Sequence, residues 1–286
     1  MSVSSRCSWA GVLLTLAMPL RADAQDRPAG WQRRAEATPI PVTVFHSTQS
    51  ANLPTAETLR KGEWLFEISH RFLPPVSDGA DALWGLDGPI YNRLGLAYAP
   101  ADRVLVGVSR SNLDDNVELG AKVRVWEGAA ASVPVMIALN GAVAWNTEAD
   151  TLAGAEDNEL QAYGQIVLNA LLADRVALGV VPTLLHNPRI QEAVSESVFA
   201  LGLNGQIYLS DHVSVLGEWV LTEERENLVY DPVAVGVELE TGGHFFKIVV
   251  TNSARMNPSQ FLGGAPFEFT PDEWRLGFNV TRLLTF

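Results

Sequence analysis

From residue 62 onward the chain alternates. In "WLFEISHRF" (64–72), Glu67, Ser69 and Arg71 share one face, while Trp64, Phe66, Ile68 and Phe72 share the other with His70. A period of two over this length predicts a β-strand with unlike faces. Similar runs cover roughly 62–73, 91–99, 103–112, 117–126, 132–146, 160–171, 175–185, 198–209, 213–223, 231–241, 244–253 and 273–286. In "NVELGAKVRVW", Val117, Leu119, Ala121, Val123 and Val125 oppose Glu118, Lys122 and Arg124; in "VAVGVELE", Val233, Val235, Val237 and Leu239 oppose Glu238 and Glu240. No amphipathic helix separates these runs.

The gaps have their own order. Every second one is short: "APAD", "EGAAA", "ADR", "SDH" and "TGGH" are turn clusters of hairpin length. The others are long and polar, such as "PPVSDGADALWGLDGPI" and "NSARMNPSQFLGGAPFEFTPDE", with "NLDDN" (112–116) as the exception. Short turns at one end and long loops at the other are the pattern of an outer-membrane barrel, and an even strand count puts both ends of the barrel on the periplasmic side. A sheet with one wet face would also alternate, but it has no reason to sort its loops by length. The fold expected is an all-β, antiparallel up-and-down barrel of twelve strands over residues 62–286.

The N-terminus fits export. Arg6 precedes the apolar run "WAGVLLTLAMPL" (9–20) and a small-residue site, "ADA" (22–24). A bilayer-spanning helix needs roughly 20 residues, so residues 1–24 read as a cleaved signal peptide. Cys7, the only cysteine, lies within it, so disulfides, thiolate metal sites and cysteine nucleophiles are not expected in the mature protein. Residues 25–61 have neither period and read as an irregular periplasmic leader outside the main fold. The charge balance is acidic, 33 Asp plus Glu against 20 Lys plus Arg. No basic patch suggests a nucleic-acid partner. The expected location is the outer membrane of a Gram-negative bacterium, among lipids and lipopolysaccharide. The last strand, "WRLGFNVTRLLTF", ends on Phe286, an aromatic that resembles the signal read by the barrel-assembly machinery.

A further resemblance rests on residues. "ISHRF", "LWGLDG" (83–88) and "RLGLAYAPADRVLVGVSRS" (93–111) resemble an uncharacterised family of bacterial outer-membrane β-barrel proteins. The matching positions are His70-Arg71-Phe72, Gly85-Leu86-Asp87, Leu94-Gly95-Leu96, Tyr98, Gly107 and Ser109-Arg110-Ser111. The resemblance implies fold and location, and no reaction.

Three kinds of function remain open. The face opposite the lipid row carries Glu67, Arg71, Arg93, Glu118, Lys122, Arg124, Glu218, Glu238, Glu240, Lys247 and Arg275. Mixed charges of this kind suit a narrow passage for small solutes, and equally suit pairing that closes the lumen. A lipid-modifying enzyme would need an outward Ser beside a His; Ser69 and His70 are adjacent, so they point to opposite faces, and His46, His186, His212 and His244 stand in the leader, a loop or turns. A structural or binding barrel would use its surfaces. His70 and Arg110 fall outward near the loop-side rim, where cations cost little and could meet lipopolysaccharide phosphates. Acidic loop residues could gather divalent cations, although no ordered metal-ligand spacing is present. The expectation is a passive small-solute channel without cofactor or catalytic activity.

Overall fold

Alternating strands with one apolar face satisfy a membrane only if their edges meet, and here they do. The computed structural model describes residues 43–148, 159–188, 190, 196–223 and 228–285. The expected signal peptide with Cys7, the first part of the leader, parts of three long loops and Phe286 lie outside the described residues. Twelve strands follow in order: β1 (Trp64–Phe72), β2 (Ile90–Ala101), β3 (Val104–Ser111), β4 (Asn116–Ala130), β5 (Val133–Asn146), β6 (Leu160–Leu172), β7 (Val176–His186), β8 (Ser197–Tyr208), β9 (Val213–Leu221), β10 (Val233–Glu240), β11 (His244–Thr251) and β12 (Arg275–Leu284). Each pairs antiparallel with its sequence neighbour, and β1 pairs with β12 to close the barrel.

The turns fall as expected, short ones at one end and loops at the other. The β4–β5 turn is tighter than "EGAAA" suggests. β4 continues to Ala130 past a bulge between Arg124 and Trp126. The connection is then only Ala131 and Ser132, both at positive φ (49° and 70°), the backbone a two-residue hairpin turn requires.

The outward face is apolar, with Leu119, Val143, Leu184 and Ile248 all exposed. Aromatic residues gather near its two edges. Trp64 stacks on Tyr98 at 4.5 Å on the short-turn side, and Trp145, Phe199 and Trp219 stand exposed toward the loops. Such girdles mark the interfacial levels of a membrane barrel.

The inward face differs from a uniformly polar row. On β5–β8 it is largely apolar: Met136, Ala138, Val167, Val181 and Ala200 are all fully buried. The buried charges lie on the remaining strands. The seam between β1 and β12 is tight, since a Cβ at Gly277 would lie 2.5 Å from Arg71 Cδ and 2.8 Å from the His70 carbonyl oxygen. Gly277→Ala is therefore expected to lower unfolding stability by about 1–3 kcal/mol. Urea titration of the refolded barrel, read by heat-modifiable electrophoretic migration, measures this.

Candidate functional site

The lumen is filled from both ends by segments that belong to no strand. From the short-turn side, residues 43–57 enter as a hairpin. The backbone of this hairpin bonds to itself, Ser50 N–H to Leu53 O at 2.8 Å and Thr55 N–H to Thr48 O at 3.1 Å, with an isolated bridge between Gln49 and Pro54. Val44, Phe45, Ala51, Leu53 and Ala56 are buried. This corrects the expectation of a leader wholly outside the fold: its described part from 43 to 57 lies inside the barrel. The reason is complementarity, because apolar hairpin residues meet the apolar wall and backbone groups meet the charged wall. Val44, Phe45 and Ala56 pack with Met136, Val167 and Val181, and Ala51 packs with Leu216, Ala234 and Val249.

The polar contacts are dense. Lys122 Nζ donates to the Thr48 and Thr55 carbonyls, both at 2.8 Å. Lys247 Nζ donates to the Gln49 and Ser50 carbonyls at 2.5 and 2.9 Å and lies 3.2 Å from Glu238 Oε2. Glu238 also holds His46, whose Nδ1 is 3.0 Å from Glu238 Oε1. Glu218 accepts from the Asn52 and Leu53 N–H groups at 2.9 and 3.0 Å. At the hairpin's base, Glu57 accepts from the Val44 and Phe45 N–H groups. Burial pushes the Glu57 carboxyl above its ordinary range, opposed by those two bonds and by Arg124 and Lys122.

From the loop side, the β11–β12 connection drops a single helical turn, α1 (Pro258–Phe261), into the barrel with all four residues buried. Asn257 accepts from Arg93 Nε at 2.7 Å and from Ser109 Oγ at 3.0 Å, and Gln161 donates to the Ser259 carbonyl at 3.0 Å. The two inserts meet: Leu53 shares one apolar cluster with Phe261 and Leu262. Beside the hairpin a cavity of about 130 Å³ remains, lined by Glu67, Arg93, Glu118 and Lys122 and floored by Gly95, Gly107 and Gly120.

Residues 45–284 match the family described as a membrane bound beta barrel domain (DUF5777). The chain belongs to this family, a domain of unknown function. Its location is the outer membrane. No curated protein matches the chain. Among solved structures it is similar to the NanC porin, with TM-score 0.49 and 5% identity over 78% of this chain and 99% of that one. It is also similar to the COG4313 outer membrane channel from Pseudomonas putida F1, with TM-score 0.48 and 11% identity over 80% and 98%. A third is the outer membrane phospholipase A from Escherichia coli, with TM-score 0.39 and 12% identity over 78% and 90%. At this distance the likeness is one of fold.

In this family member the charges expected in the lumen do face inward, but they form separate groups. Glu67 pairs with Arg93 at 2.7 Å and takes the Gln49 amide at 2.8 Å. Glu118 accepts from the Tyr163 hydroxyl at 2.8 Å. Arg124 lies 3.8 Å from Glu57. Arg275 stands at the loop-side mouth, where it bonds the Leu73 carbonyl and stacks on the Phe267 ring. Glu240 is at the opposite end and accepts from the Gly243 N–H. His70 and Arg110 point outward. His70 packs on Phe278 at 4.6 Å, and Arg110 is paired with Asp115. The Asp115 carboxyl is held below its ordinary range, first by the Thr147 hydroxyl and then by Arg110. Among the described residues no cluster of His, Cys, Asp and Glu is arranged to hold a metal ion.

Sequence reading missed His46, Asn52, Leu53 and Glu57 in the leader and Asn257 and Ser259 in the last loop. It also missed an outward Ser–His contact, His186 Nδ1 to Ser197 Oγ at 3.1 Å, because the two residues meet across β7 and β8 rather than along one strand. The hairpin's docking can be measured directly. Ser50 is 2% exposed, so Ser50→Cys in a Cys7→Ser background is expected to resist a water-soluble maleimide. Adding Leu53→Ala removes roughly 2 kcal/mol or more of packing. Labelling should then accelerate about thirtyfold if it requires the hairpin to leave.

Proposed function

We propose that the protein is a small-solute channel of the outer membrane, held closed by its own leader hairpin. One observation carries this reading: the lumen is filled by a segment that joins no strand and meets the wall's charges with neutral dipoles. A barrel built only to stay shut gains little from buried ions, since well-packed apolar residues of similar volume are often as stable or more so. Lys122, Lys247, Glu218 and Glu238 suit a wall that water or solute also touches. When the hairpin withdraws, water replaces its carbonyl and N–H groups on Lys122, Lys247 and Glu218. The unlike charge it parts, Glu57 from Arg124 at 3.8 Å, lies at its base, where Arg124 keeps Glu127 at 3.5 Å.

Planar-bilayer recording tests the reading. The full mature chain should show rare openings. Replacing residues 44–56 by a glycine-serine sequence of equal length removes the apolar anchors and the His46 and Asn52 side chains, and should give long-lived discrete steps. Leu53→Ala should raise the open fraction about thirtyfold, in proportion to the packing lost. A replacement variant that folds and inserts but never conducts would sink the channel.

The His186–Ser197 contact favours a second reading, ester hydrolysis at the loop-side rim, where a base-activated hydroxyl is the required element. The channel reading expects no turnover of a phospholipid or p-nitrophenyl ester by refolded protein. Turnover that disappears in Ser197→Ala would instead establish the hydrolase.

A further inference from the structure

The tip of the hairpin occupies a place between two unlike wall charges. Arg71 on β1 donates from Nη2 to Asn52 Oδ1 at 2.9 Å. Asn52 Nδ2 donates to Glu218 Oε1 on β9 at 2.6 Å. The backbone N–H groups of Asn52 and Leu53 complete Glu218 through its other oxygen. Both wall residues are buried, Arg71 completely and Glu218 at 6% exposure. β1 and β9 stand four strands apart around the barrel, so the two charges approach from different sides and the single carboxamide bridges them.

Among the described residues neither charge is balanced by a direct ionic bond. The remaining Arg71 contacts are with neutral oxygens, the His70 and Phe278 carbonyls and Asn279 Oδ1, and its buried Nε has no partner. Among the described residues, the side-chain oxygens of Glu218 accept hydrogen bonds from the leader alone. Removing Asn52 therefore leaves a cation and an anion facing one gap. Asn52 also borders the cavity of about 130 Å³ and a smaller one of about 20 Å³ beside it, so the vacated space joins existing room.

The geometry points to a binding site for small zwitterions of the α-amino-acid class, with the carboxylate on Arg71 and the ammonium on Glu218. This rests on the channel reading and names the solute such a channel would select. The amide of Asn52 carries its acceptor and donor on one carbon, and an amino acid carries its carboxylate and ammonium one bond further apart. The Asn52 amide meets each wall charge with a dipole, whereas the zwitterion meets each with an opposite full charge, so both contacts become ion pairs. A lone anion satisfies Arg71 but brings its charge toward Glu218, and a lone cation does the reverse. The site thus discriminates by charge separation within a neutral solute rather than by net charge.

The test uses the full mature chain, folded in detergent, with glycine as probe. In equilibrium dialysis, Asn52→Ala should bind glycine saturably and about tenfold or more tightly than the unmodified protein, in which the amide competes. Asn52→Leu, which refills the gap without a dipole, should not bind. Acetate and methylammonium at equal concentration should not displace glycine. Adding Glu218→Gln to Asn52→Ala should weaken binding about tenfold; if that double variant does not fold, the Ala-against-Leu comparison decides. Equal binding by the Ala and Leu variants, or displacement by acetate as effective as by glycine, overturns the site. The 44–56 replacement variant, which lacks the hairpin and Asn52, separates the two readings in a planar bilayer. Glycine binding by Asn52→Ala with no current through the replacement variant keeps the site and overturns the channel; current through the replacement variant, with neither binding by Asn52→Ala nor block by glycine, does the opposite.

Discussion

The barrel depends on matching charges that its own wall buries. Lys122, Arg71, Lys247, Glu218 and Glu238 are all shielded from solvent, and an unmatched ion in such a place costs several kcal/mol. Two solutions are used. Some charges pair along the wall, as Glu67 does with Arg93. Others are met by the peptide groups and amides of the inserts: carbonyls on Lys122 and Lys247, and N–H groups on Glu218. The leader hairpin is thereby part of the structure's electrostatics, although it contributes no strand.

The same constraint explains which part of the fold was readable in the sequence. Strands advertise themselves by a period of two, because one face meets lipid along the whole length. Thus 132–146 was expected and Val133–Asn146 is found, and 160–171 was expected and Leu160–Leu172 is found. The departures are local, as where the bulge at Trp126 lets β4 run on to Ala130. The inward direction of Glu118, Lys122 and Glu238 follows from the same period.

The partners of those charges do not. A segment that docks by presenting backbone dipoles needs no periodicity, and 43–57 has none. One signal was present in both inserts. Residues 37–56 contain no Asp, Glu, Lys or Arg, and neither do residues 256–267, in a chain where 19% of residues are charged. A solvated leader or loop gains from charge. A segment lodged against a charged wall does better without it, since each of its own charges would need to be desolvated and paired in turn. The Arg110–Asp115 pair was hidden for another reason: the β3–β4 turn folds Asp115 back beside Arg110, a geometry that residue spacing does not display.

Neutrality also bears on reversibility. A hairpin held at its tip by ion pairs would leave uncompensated buried charges on departure, a loss of roughly 3–5 kcal/mol for each broken pair; its charged contact, Glu57 with Arg124, sits at the base, where Arg124 also has Glu127. Hydrogen bonds from neutral groups to wall charges are replaced by bonds from water as the lumen floods, so their net contribution to closure is small. The balance then passes to the apolar anchors, Val44, Phe45 and above all Leu53, which belongs to one buried cluster with Phe261 and Leu262 of the opposite insert. Each fully buried side chain of this size contributes about 1.5–3 kcal/mol, opposed by the entropy of ordering the hairpin. Closure is then set by a few apolar side chains at the base and tip of the hairpin, while the charged wall behind it stays equally well solvated by peptide, by water or by a solute that carries both signs.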